Sequence, residues 1–263
     1  MPEEDRATWL LPLDEYLPPY FEAQYARQLL MRECMEGFGY TFRVAPVNVD
    51  APPPATTNRS GRRLFDVSIA AVYGYHFAPS QREDLRLVQE IGASAYSDDE
   101  VRVLEGCQAQ ALEELQSPDD SLADWLGFVV DVRTDADVRA AAARWANCLE
   151  AVAPGRATEW PEDMPNRHDS VEFQLSTAVL WNAPPPSFEE VELALFDAEC
   201  RESTGFAEAY YEAEWQAHLE LIEQNLPALQ AEAEFNEAYL QRARTVIAAL
   251  ADQPLQDQPL PRD

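Results

Sequence analysis

Four cysteines, three histidines and 48 acidic side chains are the residues of this chain that could do chemistry. No two cysteines are close enough to form a Cys-x-x-Cys pair. With so few histidines, this spacing argues against a zinc site and favours either two disulfides or four unrelated buried thiols. Composition slightly favours disulfides, but the sequence alone leaves their pairing open. The four cysteines are Cys34, Cys107, Cys148 and Cys200.

The histidines and carboxylates form only weak catalytic or metal-binding patterns. Glu214 and His218 lie one helical turn apart and could share a metal, but a solvated pair is the commoner arrangement. His168-Asp169-Ser170 has the residue types of a hydrolase triad, yet triad residues normally converge from distant loops. The acidic groups at 98–100 and 135–137 lack the glycine turn and final glutamate of an EF-hand loop. We therefore assign no catalytic residue, no metal ligand and no cofactor.

The charge of the chain limits its partners. The formal net charge is −29, from 48 acidic and 19 basic side chains. Nucleic acids and anionic lipids are bound by basic faces, and the densest basic stretch, Arg59 to Arg63, is a short loop. We therefore expect no nucleic-acid partner. The acidity suits an extracellular surface or a basic partner, and it also aids solubility.

The sequence contains no segment that would place it in a membrane. No apolar run is long enough for a membrane-spanning helix. Residues 1–5 lack the basic start and the apolar segment of a signal peptide. On this basis alone the chain is either cytoplasmic or the mature part of an exported protein.

Hydrophobic periodicity and capping residues predict a mainly α-helical protein. Thr134 is expected to be the N-cap of an alanine-rich helix, and Ser187 the N-cap of the last helical region. Residues 64–73 could form either a strand or a helical turn. The other predicted helices and the alanine-rich one cover 20–36, 100–116, 121–131 and 134–152.

Prolines divide these helices by long loops, mainly over 40–63 and 154–186, with a short ordered piece at 171–181. We predict a helical N-terminal half over 1–120 and a helical C-terminal half over 121–253. Residues 254–263 are predicted to be a disordered tail.

The clearest pattern is a heptad seam near the C-terminus, which predicts a long helix that packs on a partner. Pro227 is expected to kink or break this helix, and the partner is expected to be residues 134–152 or another protein. Glu208, Glu212, Glu220 and Glu223 would lie on the exposed back, where they could contact a basic partner. The seam residues are Trp215, Leu219, Ile222, Leu226, Leu229, Ala233, Asn236, Leu240, Ala243, Ile247 and Leu250.

Several strings around the cysteines are familiar in this order: Leu11-Pro-Leu-Asp-Glu-Tyr-Leu, Cys34-Met-Glu-Gly-Phe-Gly-Tyr, Tyr73-Gly-Tyr-His76, Glu105-Gly-Cys107-Gln-Ala-Gln-Ala111, Trp145-Ala-Asn-Cys148-Leu and Asp197-Ala-Glu-Cys200-Arg-Glu-Ser-Thr-Gly205. The chain thus resembles a family of uncharacterised actinobacterial secreted proteins and lipoproteins over about residues 9–250. It departs from that family at Leu149 and at 151–154, which affects the local turn. The resemblance implies export and disulfides, and it carries over no catalytic residue.

The cysteine contexts also suggest a loose duplication, in which Cys34 and Cys107 lie in one half and Cys148 and Cys200 in the other. This duplication favours disulfides within each half. We therefore predict an exported, cell-envelope-associated protein that binds a protein partner or envelope component through its helical surface or its aromatic loops. The alternative is an unrecognised hydrolase or metal-dependent enzyme of the cell envelope.

Overall fold

The computed structural model describes residues 4–79, 81–82, 91, 96–118, 120–164 and 185–251. The predicted mainly α-helical fold is confirmed. The described residues contain no β-strand, and Thr57 and Arg63 form an isolated β-bridge. The α-helices are α1 (Tyr20–Gly37), α2 (Val67–Tyr73), α3 (Asp98–Leu115), α4 (Leu122–Val129), α5 (Ala136–Val152), α6 (Phe188–Ser203) and α7 (Phe206–Leu250). The predicted ordered piece at 171–181 and the predicted tail at 254–263 lie outside the described residues.

Side-chain caps set the starts of several helices. The Ser187 side chain accepts the Glu190 N–H and begins α6, as predicted. The N-cap of α5 is Asp135 and not Thr134, which corrects the prediction. Thr134 is the last residue of a 3-10 turn over Val132–Thr134, so the helix can begin only after it. The Asp135 carboxylate then accepts two backbone N–H groups of the first turn.

The break in the C-terminal helical region lies between Ser203 and Phe206, and not at Pro227 as predicted. Gly205 has a φ of 70°, a left-handed conformation that suits glycine and ends α6. Pro227 lies inside α7, which continues for 45 residues. A proline removes one backbone hydrogen bond, and the packing of a helix of this length outweighs that loss.

The heptad seam of α7 is present but rotated from the predicted one. Every seventh residue from Trp215 to Leu250 is buried, as predicted. The second buried row contains Tyr211, His218 and Tyr239, and the last two lie one position before the predicted Leu219 and Leu240. The prediction that Leu226 packs in the interior is wrong, because 39% of this residue is exposed.

The contacts divide the chain into two compact units, each built from separated stretches. Unit 1 contains 1–17, 51–81 and 122–230, whereas unit 2 contains 18–50, 82–121 and 231–263. The sequence analysis instead divides the chain once, after residue 120. One of the observed boundaries, between Ser121 and Leu122, lies beside that position.

Unit 1 has its largest apolar cluster where α5, α6 and the first residues of α7 pack together. Trp145 and Leu149 of α5 are fully buried there, and Phe206 joins them from α7. Farther along α7, Trp215 packs with Leu11, while another cluster joins Ile222 and Leu229 to Leu13 and α4. The seam of unit 1 is thus covered by an N-terminal arm, residues 9–17, and by α4, and not by residues 134–152.

Unit 2 has a single described apolar cluster, in which α1, α3 and the last turns of α7 pack together. Leu29, Leu115 and Ala243 are almost fully buried in it. α7 therefore contributes to both cores, since the boundary between the units falls after Gln230.

Each unit contains one disulfide, and both follow the predicted pairing. Cys34–Cys107 joins α1 to α3 in unit 2, and Cys148–Cys200 joins α5 to α6 in unit 1. No cysteine is free. Among the described residues, no helix is long and apolar enough to cross a membrane.

Candidate functional site

The four glutamates predicted as partner contacts, Glu208, Glu212, Glu220 and Glu223, are all exposed on α7. Three of them, Glu208, Glu212 and Glu220, line one open groove on unit 1 with a volume of about 730 Å³. Glu223 is not among the lining residues. The helix thus brings most of the predicted set to a single surface, since these positions recur at helical spacing.

The lining of this groove includes a row of small residues that begins just before α7 and continues along one stripe of it. Gly205, Ala209, Ala213 and Ala217 follow one another at intervals of four residues. Side chains of this size leave the helix backbone accessible to another chain. The spacing of these small residues is a signal that the sequence contains, but none of them belongs to the predicted apolar seam.

The facing wall adds three more carboxylates, from Asp131, Asp135 and Asp137, just before and at the start of α5. Asp131 and Asp135 also accept backbone N–H groups, which fixes their positions. Arg144 is the one basic residue of the described lining, and its guanidinium donates to the Thr204 carbonyl. Six carboxylates and one guanidinium therefore face the groove.

The carboxylates on this side of α7 are crowded. The pKa of Glu4 is raised, first because its side chain shares a hydrogen bond with Glu212, then because of desolvation, and last because the two acids repel each other. Carboxylates this close to one another give the surface a negative local potential. Such a potential attracts cations and basic side chains.

A buried polar network lies behind α6, and the sequence analysis missed it. The Asp197 carboxylate is fully buried and accepts hydrogen bonds from Trp145 Nε1 (2.8 Å), Tyr75 Oη (3.2 Å) and Arg201. Asp197 and Arg201 are one helical turn apart, which is the signal that could have identified the pair. The network joins α5 and α6 at the core of unit 1.

A second buried carboxylate, Glu190, positions the turn after α2. One of its oxygens, Oε1, accepts the Tyr75 N–H (2.8 Å) and lies 2.9 Å from Nδ1 of His76. A Cβ on Gly74 would come within 2.4 Å of the same oxygen. Residue 74 must therefore be glycine for the carboxylate to reach the backbone.

The histidines do not gather into a catalytic or metal site in the described part of the chain. His218 is buried beside the N-terminal arm, where Nδ1 accepts the Leu13 N–H at 3.3 Å. His168 lies outside the described residues. The acids at 98–100 form the first turn of α3, and Glu100 caps it by accepting from Ser97. No described cluster of three potential ligands could hold a metal.

A small cavity of about 170 Å³ lies in unit 1 next to the start of α7. Glu214, one of the lining residues, accepts a hydrogen bond from Trp9 Nε1 (2.9 Å) and forms an ion pair with Arg62 (3.1 Å). Trp9 has a φ of 48°, which is strained for a bulky residue. Burial raises the pKa values of Glu214 and of Glu162, a second lining acid. The aromatic lining is Trp9, Phe65, Phe206 and Tyr210.

Neither His76 nor His218 is among the lining residues of this cavity. Its acids face arginines and aromatic rings instead. The hydrolase alternative therefore gains no histidine base from this cavity.

Comparison of this chain with protein-family models, with curated proteins and with solved structures finds no match. The resemblance to actinobacterial secreted proteins and lipoproteins stays a prediction.

Proposed function

We propose that this protein is an exported, cell-envelope-associated binding protein that holds a basic protein segment in the acidic groove of unit 1. The observation that carries the proposal is the convergence of six carboxylates from two parts of the chain on one open groove. Their convergence distinguishes this groove from the general acidity of the chain.

The form of the groove favours a peptide or helix as its occupant. The row of glycine and alanines permits close approach of another backbone, while Glu208, Glu212 and Glu220 rise beside it. Basic side chains on a segment lying along α7 would meet carboxylates at intervals of roughly one to two turns. A small ion would use only a fraction of a groove this long.

The two disulfides favour an oxidising compartment. Disulfides form and persist outside the cytoplasm and are rare inside it. Both are buried at one end at least, since Cys107 and Cys200 are almost fully covered. An exported protein with an acidic groove would meet its partner at the cell surface.

The proposal is tested by titrating the protein with a labelled, arginine-rich helical peptide in fluorescence anisotropy. The decisive variant is the triple change Glu208→Gln, Glu212→Gln and Glu220→Gln. We expect it to weaken binding about tenfold, because each exposed ion pair contributes only about 0.2–1 kcal/mol. Binding should also weaken as salt is raised.

A matched control removes the same number of charges elsewhere. Glu105, Glu113 and Glu234 are exposed and lie in unit 2. The triple change of these residues to glutamine should leave the affinity within about twofold. Equal losses in the two triple variants would show that the peptide responds to net charge alone, and would refute the groove as the binding site.

A further inference from the structure

The cavity beside Trp9 contains two buried polar atoms that no other protein atom satisfies. They are Nε of Arg62, a donor, and Oε2 of Glu162, an acceptor when ionised. An unpaired buried polar atom costs free energy, so most such atoms in proteins have a partner. A donor and an acceptor left over in one cavity indicate a ligand that carries both complementary groups.

The charged side chains around the cavity likewise include one basic and one acidic group without an ion-pair partner. Arg62 pairs with Glu214, and Arg201 pairs with Asp197. Among the described residues, Arg63 forms no ion pair with a carboxylate. Glu162, also in the lining, forms none with an arginine. Burial lowers the pKa of Arg63 to about 10, which still leaves it charged at neutral pH. The Arg63 guanidinium donates to the Tyr75 carbonyl and lies over the Phe77 ring, so neither Arg63 nor Glu162 has an ion-pair partner of opposite charge.

The aromatic residues of the lining favour the positive end of a ligand. Tyr210 lies between two other rings, with its centroid 6.5 Å from that of Trp9 and 5.5 Å from that of Phe206. Ring faces attract ammonium groups most strongly where water is excluded. The strained backbone of Trp9 keeps its indole at this position, a cost that functional sites commonly bear.

We propose that this cavity binds a small zwitterion, whose carboxylate is held by Arg62 and Arg63 and whose ammonium group lies between Glu162 and the aromatic rings. The volume of about 170 Å³ suits a compound of amino-acid size, since a cavity of about 150 Å³ accepts benzene. This inference goes beyond the proposed function, because the acidic groove uses other residues of α7.

The test is isothermal titration calorimetry of the intact, oxidised protein with glycine betaine and with L-proline. Acetate and tetramethylammonium each supply one half of the charge pattern and serve as controls. We expect at least one zwitterion to bind saturably and at least tenfold more tightly than either half. The proposal is wrong if neither zwitterion binds, or if one of the halves binds as tightly as the zwitterions do.

The variant Glu162→Gln tests the ammonium end. It should weaken binding of the zwitterion about tenfold, since a buried ionic contact is lost. Its melting temperature should not fall, because the change removes an unpaired buried charge.

Asp163→Asn is the matched control, since Asp163 is the adjacent acid and lies 3.6 Å from Arg133 outside the cavity lining. This variant should keep the parent affinity. Unchanged affinity in Glu162→Gln, or an equal loss in Asp163→Asn, would overturn the assignment of Glu162.

Discussion

The two units have the same kind of disulfide brace but different interiors. In each unit, one disulfide joins two helices around an apolar cluster. The buried polar residues described in unit 2 are Arg32 and Asn236, whereas unit 1 buries several ionisable groups. Asp197, Glu190 and His218 are each almost inaccessible to solvent. Since buried charges cost stability unless they are paired, unit 1 maintains an arrangement that simple packing would not favour.

This difference indicates a division of labour between the units. Unit 2 has the interior of a helical scaffold, in which even Arg32 serves to satisfy the Leu250 carbonyl at the end of α7. Unit 1 contains the acidic groove, the buried carboxylates and the aromatic cavity. Perturbed and buried ionisable groups commonly mark functional regions.

The largest expected effect comes from removing the central carboxylate of unit 1. Asp197→Ala would leave the Arg201 guanidinium without its partner and would orphan the donors of Trp145 and Tyr75. We expect a loss of about 3–5 kcal/mol in the free energy of unfolding, measured by urea denaturation.

The control for this variant is Asp99→Ala, which removes an exposed carboxylate from an ion pair with Arg102. That change should cost less than about 0.5 kcal/mol. Similar losses from both variants would mean that the buried network contributes nothing special to unit 1.

The disulfides allow the units to be compared directly. Cys34–Cys107 closes a separation of 73 residues and Cys148–Cys200 one of 52. Loop entropy predicts that replacing either pair by alanines costs about 4 kcal/mol, with only a few tenths between them. Urea denaturation followed by circular dichroism would measure both losses. A much larger loss for the unit 1 pair would show that its buried charges depend on the brace, and would contradict the purely entropic expectation.

The smallest of these effects is a dependence of stability on pH that comes from a histidine of unit 1. All three histidines belong to unit 1. Burial, together with the nearby Arg62 charge, lowers the pKa of His218 from 6.5 to about 4. Because the unfolded chain then binds a proton that the folded chain rejects, stability is complete above pH 6.5 and falls as the pH drops toward 4. The loss amounts to roughly 3 kcal/mol.

The variant His218→Asn isolates this contribution, because an amide oxygen can still accept the Leu13 N–H. Unfolding free energies of the parent and the variant should be measured from pH 7 to pH 4. We expect the unfolding free energy of the parent to fall relative to that of the variant as the pH drops. Parallel curves would exclude His218 as a source of the pH dependence.

The sequence was most informative where local chemistry decides the structure. Ser187 caps α6 as predicted, because a serine before paired glutamates satisfies the first backbone N–H groups. The loose duplication of the cysteine contexts predicted the pairing that the structure shows. The same local rules gave the wrong N-cap at Thr134, because the neighbouring Asp135 accepts the first backbone N–H groups of α5 instead.

The rest depended on partners that are distant in the chain. The sequence favours a solvated pair of Glu214 and His218, yet His218 is buried and its ring accepts the N–H of Leu13, which is distant in the chain. The acidic groove forms because Asp131, Asp135 and Asp137 lie next to α7, and no local sequence pattern predicts this contact between distant segments. Leu226, in contrast, is apolar but exposed, so hydrophobicity alone placed the seam one position too far round the helix.

The order of the cysteine pairs has a consequence for how the molecule is made. Because each cysteine pairs with the next one along the chain, an oxidant that meets the chain from its N-terminus can form the native bonds in order of arrival. The units themselves cannot mature in that order. Unit 2 begins at Pro18 but includes residues beyond Ala231, so its first disulfide can close long before its core is complete. The first disulfide would then hold α1 and α3 together before the last turns of α7, which complete this core, are in place.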